Sequence, residues 1–198
     1  MDKRSRFPDS GLKTELIRKA IHILIALVPL LASLNRSHTS LLLMGGMLIY
    51  GWAESMRFLG FSMPVISSVT STVLRKREQE RFALAPITLG LGALLSITLF
   101  PPNVAAAAIY ALAFGDSAAS LVGKFLGHFR PAFMKGKSVE GSLACLAAAA
   151  FAGFAVFHNW KIAVAIGLAS MIVDALPSED FDNILIPMAA GLVTLVFI

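Results

Sequence analysis

Apolar positions along the chain fall into seven runs separated by short polar segments, at residues 14–34, 40–61, 84–100, 104–122, 141–157, 160–176 and 184–198. A helix needs roughly 17–25 apolar residues to cross ~30 Å of hydrocarbon. The pattern therefore predicts an all-α, polytopic membrane protein of about seven transmembrane helices, folded as a single membrane domain over residues 1–198. Several runs are short, which points to tilted or partly buried helices. Between the second and third runs, residues 62–82 carry Met63, Ile66, Val69, Val73 and Leu74 at helical spacing, with serines and threonines between them and Arg75-Lys76-Arg77 after them. This segment reads as an interfacial amphipathic helix on the inner membrane surface, or as a plain connecting helix.

Composition agrees with the pattern. Hydrophobic residues make up 57% of the 198 and charged residues 15%, with a mean hydropathy of +0.76. Soluble domains run nearer ~45–50% and ~25%, so a soluble globular enzyme is disfavoured. A disordered or collagenous chain is excluded by the aliphatic content and by glycines without a period. The single cysteine, Cys145, permits neither an internal disulfide nor a Cys-based zinc site.

The net charge of +5 suits either nucleic acid or a membrane surface, and the placement of the charges decides between them. With seven spans and a cytoplasmic N-terminus, only Arg36 and Lys161 of the 17 lysines and arginines fall on the outer side. Such asymmetry follows the positive-inside rule. The basic N-terminal stretch lacks the small-residue cleavage pattern of a signal peptide, so it is read as part of the protein.

Ionisable groups within spans are costly, and each is a functional candidate. Glu15, Arg18, Lys19 and His22 share one helical face by their spacing of three and four. That face suits an anionic headgroup or phosphates, although snorkelling accounts for the two cations alone. Glu54 and Arg57 pair three residues apart, as substrate contacts or as a local salt bridge in support. Asp116 is followed by Ala119, Gly123 and Gly127 at intervals of four. This stripe serves close helix packing, or lets a phosphate chain or metal approach the backbone. Lys135, Gly136, Lys137, Ser138, Glu140 and Gly141 follow. Two carboxylates around a basic, hydroxyl-bearing loop are the parts of a metal–polyphosphate site.

The triplet Gly136-Lys137-Ser138 is no Walker A loop, because Pro131 stands where that motif needs glycine. Asp174, Glu179, Asp180, Asp182 and Asn183 form an acidic cluster at the last cytoplasmic junction. It is a solvated loop or a metal-binding group facing Asp116. His38 and His158 fall on the outer side, away from this chemistry. All four clusters open on one face, and the outer halves of the helices carry almost no polar groups. That argues against a transporter or channel and for chemistry at the cytoplasmic interface.

The segment from Asp116 to Gly141 resembles the nucleotide motif of the CTP-dependent lipid-alcohol kinases, which include dolichol kinase, phytol kinase and the CTP-using diacylglycerol kinase among the cytidylyltransferase-like membrane proteins. That motif reads D-x-x-A-x-x-x-G-x-x-x-G, eight residues, then K-K-T-x-E-G. Asp116, Ala119, Gly123, Gly127, Lys137, Glu140 and Gly141 match it. Gly136 replaces the first lysine, beside which Lys135 stands one position off, and Ser138 replaces threonine with its hydroxyl kept. Arg18, Lys19 and His22 fit the family's R-K-x-x-H, and Asp182-Asn183 with Pro187 fits its late D-N and proline.

The resemblance implies transfer of the CTP γ-phosphate to a lipid hydroxyl, with residues 123–140 as the cytoplasmic nucleotide-binding loop. Asp116, Lys137, Glu140 and Asp182 would be catalytic. Mg2+ would sit on Asp116, Asp182 and Glu140. Arg18, Lys19, His22, Ala119, Gly123, Gly127, Lys135, Gly136, Ser138, Gly141 and Asn183 would bind nucleotide. Expected partners are CTP, a lipid alcohol and the bilayer, without nucleic acid, and a homo-oligomer is compatible with the sequence. The alternatives are a phosphatidate cytidylyltransferase, whose long C-terminal signature is absent here, and a non-catalytic membrane scaffold or small transporter.

Overall fold

A computed structural model describes residues 9–61, 82–177 and 179–198, and it is all-helical among the described residues, with no strand. The surface helix expected at 62–82 lies, up to residue 81, outside them. The first helix, α1 (Asp9–Leu24), runs through a 3-10 turn (Ile25–Leu27) into α2 (Val28–Phe58). After the undescribed segment come α3 (Ala85–Leu99) and α4 (Pro102–Tyr110). A π turn (Ala111–Asp116) joins α4 without a break to α5 (Ser117–Phe125). A short 3-10 turn (Ala132–Met134) precedes α6 (Val139–Phe157) and α7 (Trp160–Ala175). A last 3-10 turn (Glu179–Phe181) opens α8 (Asp182–Leu195).

Helix ends follow local chemistry. Pro102 opens α4, where its missing N–H costs nothing. Ser138 and Asn159 cap α6 and α7 by accepting from the amides of Gly141 and Lys161. His158 closes α6 in the left-handed conformation, φ 50°.

Among the described residues, three helices are long and apolar enough to cross a membrane: Glu15–Phe58, Pro102–Phe125 and Val139–Phe157. Ala85–Leu99 and Asp182–Leu195 are shorter and also apolar. Glu15–Phe58 has 44 residues, about 66 Å at 1.5 Å per residue, twice the hydrocarbon thickness. It is not straight. Asn35 is extended (φ −157°, ψ 104°), and its side chain accepts from the amide of His38 to restart the helix.

The chain turns back at this residue. Val28 on one side of Asn35 and Leu43 on the other pack against the same cluster of Ala93, Ile97, Phe100 and Val104. Arg36, beside the turn, donates to Thr98 O at the C-terminal end of α3. Glu54, far from the turn, accepts from Ala83 N just before α3 begins.

The Pro102–Phe125 rod is the axis of the bundle and packs against α2, α3, α6, α7 and α8 in turn. Its alanines make this possible. Ala107, Ala108 and Ala111 are fully buried with Ala149, Ile162, Ile166 and Ala190 from three other helices. Without a hydrophobic drive between helices in lipid, small residues that admit close backbone approach carry the association. Large side chains point outward instead, among them Leu30, Leu48, Phe151, Ile172 and Val196.

Gly92 shows how tight the contacts are: a Cβ there would meet the backbone oxygen of Asn183 at 2.0 Å. Gly92→Ala is expected to push α3 from α8 and lower stability by about 1–3 kcal/mol. Gly45→Ala, with nothing within 4 Å, is expected to be neutral or stabilising by about 0.5–1 kcal/mol. Thermal unfolding of both variants in one detergent would check the difference, and equal midpoints would contradict this packing.

Candidate functional site

At one end of the bundle the helix termini enclose a cavity of about 290 Å³. Arg18 and Lys19 line it from α1, and Asp116, Ala119 and Gly123 from the π turn and α5. The loop before α6 contributes Lys135, Gly136, Lys137 and Ser138, with Gly141 from the helix itself. Asp174 at the end of α7, and Asp182 and Asn183 at the start of α8, complete the wall.

The small-residue stripe sets the depth of this wall. A Cβ on Gly141 would meet Ala119 O at 2.7 Å, and one on Gly127 would meet Gly123 O at 2.2 Å and Ser138 Oγ at 2.5 Å. The stripe is therefore occupied by the first turn of α6 and its cap. Packing brings the Lys137–Ser138 loop beside Asp116, while Ala119 and Gly123 still face the cavity. Gly127 packs within this contact and does not line the cavity.

Carboxylate–cation pairs join the walls across long sequence separations. Lys19 Nζ donates to Asp116 Oδ2 at 2.5 Å, with the lysine 2% exposed. His22 Nε2 lies 3.2 Å from the same oxygen without a directed hydrogen bond. One turn earlier, Glu15 accepts from Ser120 Oγ at 2.7 Å and pairs with Lys124. On the far wall, Lys137 Nζ donates to Asp182 Oδ2 at 2.6 Å, to Asp174 O at 2.5 Å and to Leu176 O at 3.0 Å. Removing one partner of such a buried pair typically costs 3–5 kcal/mol, roughly, because the other charge is left uncompensated.

Several expected site residues stand elsewhere. Glu140 does not line the cavity: its Oε1 accepts from the amides of His128 and Phe129 at 2.9 and 3.1 Å. This carboxylate shapes the loop between α5 and α6. Glu54 and Arg57 are also outside the cavity. They pair at 2.6 and 2.8 Å, and Glu54, 1% exposed, fixes Ala83 N ahead of α3. Asn183 lines the cavity, with its amide nitrogen donating to Thr88 Oγ1 and Ala85 O. Among the described residues, no three His, Cys, Asp or Glu side chains gather into a ready ion site.

Of the acidic cluster, Asp174 is buried and accepts from Ser142 Oγ at 2.7 Å, with Lys137 Nζ 3.8 Å from its other oxygen, and the structure adds Ser142 and Arg130 to the site. Ser142 follows Ser138 by one helical turn, a spacing visible in the sequence. Arg130 donates to Gly123 O at 2.6 Å and to Gly136 O, tying the loop to α5. Gly136 has φ 94°, open to glycine without strain, while Lys135 beside it is left-handed at φ 44°. Arg18 Nη1 is buried with no hydrogen-bond partner among the described residues.

The chain is 32% identical over 94 residues to CTP-dependent diacylglycerol kinase 1 of Eremothecium gossypii. The alignment covers 48% of this chain and 29% of that protein's length. No protein-family profile and no solved structure matches the chain.

Glu140→Ala leaves the His128 and Phe129 amides without their acceptor. Hydrogen exchange at these two amides is expected to quicken while the interior of α6 is unchanged. Unaltered exchange at 128 and 129 would show that the carboxylate does not hold the loop.

Proposed function

We propose that the chain is a multi-pass integral membrane kinase that moves the γ-phosphate of CTP onto the hydroxyl of a lipid alcohol at the cytoplasmic face. The observation that carries this reading is the cavity lining: the carboxylates Asp116 and Asp182 converge with Arg18, Lys19, Lys135 and Lys137 from widely separated parts of the chain. Similarity to a CTP-dependent diacylglycerol kinase supports the donor and makes diacylglycerol the first acceptor to test, ahead of phytol-type and longer prenols. The reversal at Asn35 supports two spans within Glu15–Phe58, and with α3, the Pro102–Phe125 rod, α6, α7 and α8 it supports a seven-span topology. The concentration of lysine and arginine at the site end supports a cytoplasmic site and N-terminus.

Magnesium fits the donor chemistry of the wall, since it is commonly held by one or two carboxylates, substrate phosphates and water. Asp116 and Asp182 would hold it. Bound there, it would neutralise negative charge that develops during transfer.

The chain's own residues do the rest. Arg18, whose Nη1 has no hydrogen-bond partner among the described residues, and Lys135 would take phosphate oxygens. Ser138 and the first turn of α6 add a hydroxyl and the positive end of a helix dipole. Of the carboxylates Glu140 and Asp182, only Asp182 lines the cavity, and we assign it the hydroxyl proton. Glu140, Asn183, Glu54 and Arg57 hold the surrounding backbone, and transfer then rests on positioning and charge.

The test supplies purified protein with labelled CTP, magnesium and a panel of diacylglycerol, prenols and phosphatidate. A phosphorylated alcohol with CDP is expected. Pyrophosphate with a CDP-lipid would replace this reading by a cytidylyltransferase, and no turnover with any lipid would replace it by a scaffold. Asp116→Asn is expected to reduce turnover by on the order of 10²–10³-fold in a folded protein. Wild-type rates in that variant would remove Asp116 from the chemistry.

A further inference from the structure

Two lysines in the cavity wall occupy the very carboxylates that a cation would use. Lys19 is bonded to Asp116 at 2.5 Å and Lys137 to Asp182 at 2.6 Å. The Lys137 ammonium has three N–H donors, and Asp174 O, Leu176 O and Asp182 Oδ2 take one each. Neither lysine is poised toward an empty phosphate position. Both act as the positive charge that lets a carboxylate remain in a buried wall.

We propose that Lys19 and Lys137 are resident counter-ions that exchange partners on loading: a divalent cation takes Asp116 and Asp182 as the nucleotide phosphates take the two ammonium groups. This rests on the cation–nucleotide reading above. A divalent cation arriving alone must displace an ammonium group that then lies buried without a partner. Phosphates arriving alone must pull lysines from carboxylates that are then uncompensated. Each ligand supplies the charge that the other leaves unmatched, so the two bind with positive and reciprocal coupling.

The exchange also reaches the fold. Lys137 ties the last carbonyls of α7 to the first residue of α8, so its transfer to phosphate loosens that corner. Two carboxylates match the dication, and the polyphosphate, which carries more charge than two ammonium groups, also draws on Arg18 and Lys135 in the same wall.

The experiment measures Mn2+ binding to the full chain without nucleotide, from the electron paramagnetic resonance signal of the free ion. Lys137→Met removes the ammonium group from Asp182 and is expected to bind Mn2+ about tenfold more tightly than wild type. The double variant Lys137→Met/Asp182→Asn is expected to lose that gain. Lys19→Met repeats the test at Asp116 and serves if the first variant does not fold. Folded variants with wild-type Mn2+ affinity would overturn the exchange. CTP binding to wild type, measured by equilibrium dialysis with Mn2+, separates the two readings. If wild type binds CTP but the lysine variants gain no affinity for Mn2+, the kinase reading stands and the exchange falls. If wild type binds no CTP while the variants gain affinity, the counter-ion role stands and the kinase reading falls.

Discussion

Charge burial without water is the constraint that the site end depends on. A carboxylate inside an apolar bundle persists only with a cation or several donors beside it. Four acidic side chains at this end meet that condition through a residue far away in sequence: Glu15 with Ser120 and Lys124, Asp116 with Lys19, Asp182 with Lys137, Asp174 with Ser142. These pairs also fix how the helices stand. The first pulls α1 onto α5 and the third closes the corner between α7 and α8, so assembly of the bundle end and assembly of the site are one event.

Close backbone approach is the second requirement. The outward leucines and phenylalanines gain little from meeting one another in lipid, so the helices lean on alanine and glycine. Along the central rod this gives the buried alanine seam. At the site it gives the contact of Ala119, Gly123 and Gly127 with Ser138 and Gly141. The cap of α6 lies within that contact, which is how a loop with φ-positive residues on its rim is held in place.

What could be read from the sequence was local. Apolar runs located the helices because burial and length are properties of a single segment. The ends of α6 and α7 moved by a residue or two to follow Ser138 and Leu176. Asp116, Lys137 and Asp182 were visible because charged residues beside apolar runs stand out. How they pair was not, since Lys19 and Asp116 lie 97 positions apart and nothing in either neighbourhood names the other. Glu140 reads as a magnesium ligand or base from its place beside the basic loop, yet its carboxylate turns to two loop amides that no side-chain pattern reveals. Asn35 read as part of a turn between spans, but its extended backbone and its cap on His38 are tertiary facts.

The π turn at Ala111–Asp116 has a consequence for how this helix tolerates change. A π turn holds one residue more than the α-helical path it replaces, and each residue of an α-helix advances the face by about 100°. The alanine seam before the turn and the polar face after it thus keep independent registers. Drawing the same residues into an unbroken α-helix would swing Asp116 by about 100° away from Lys19, whereas losing one residue there would return the α-helical path and keep Asp116 on its face. The bulge therefore acts as a phase shifter, and a one-residue deletion within it should be tolerated better than one in the flanking helices.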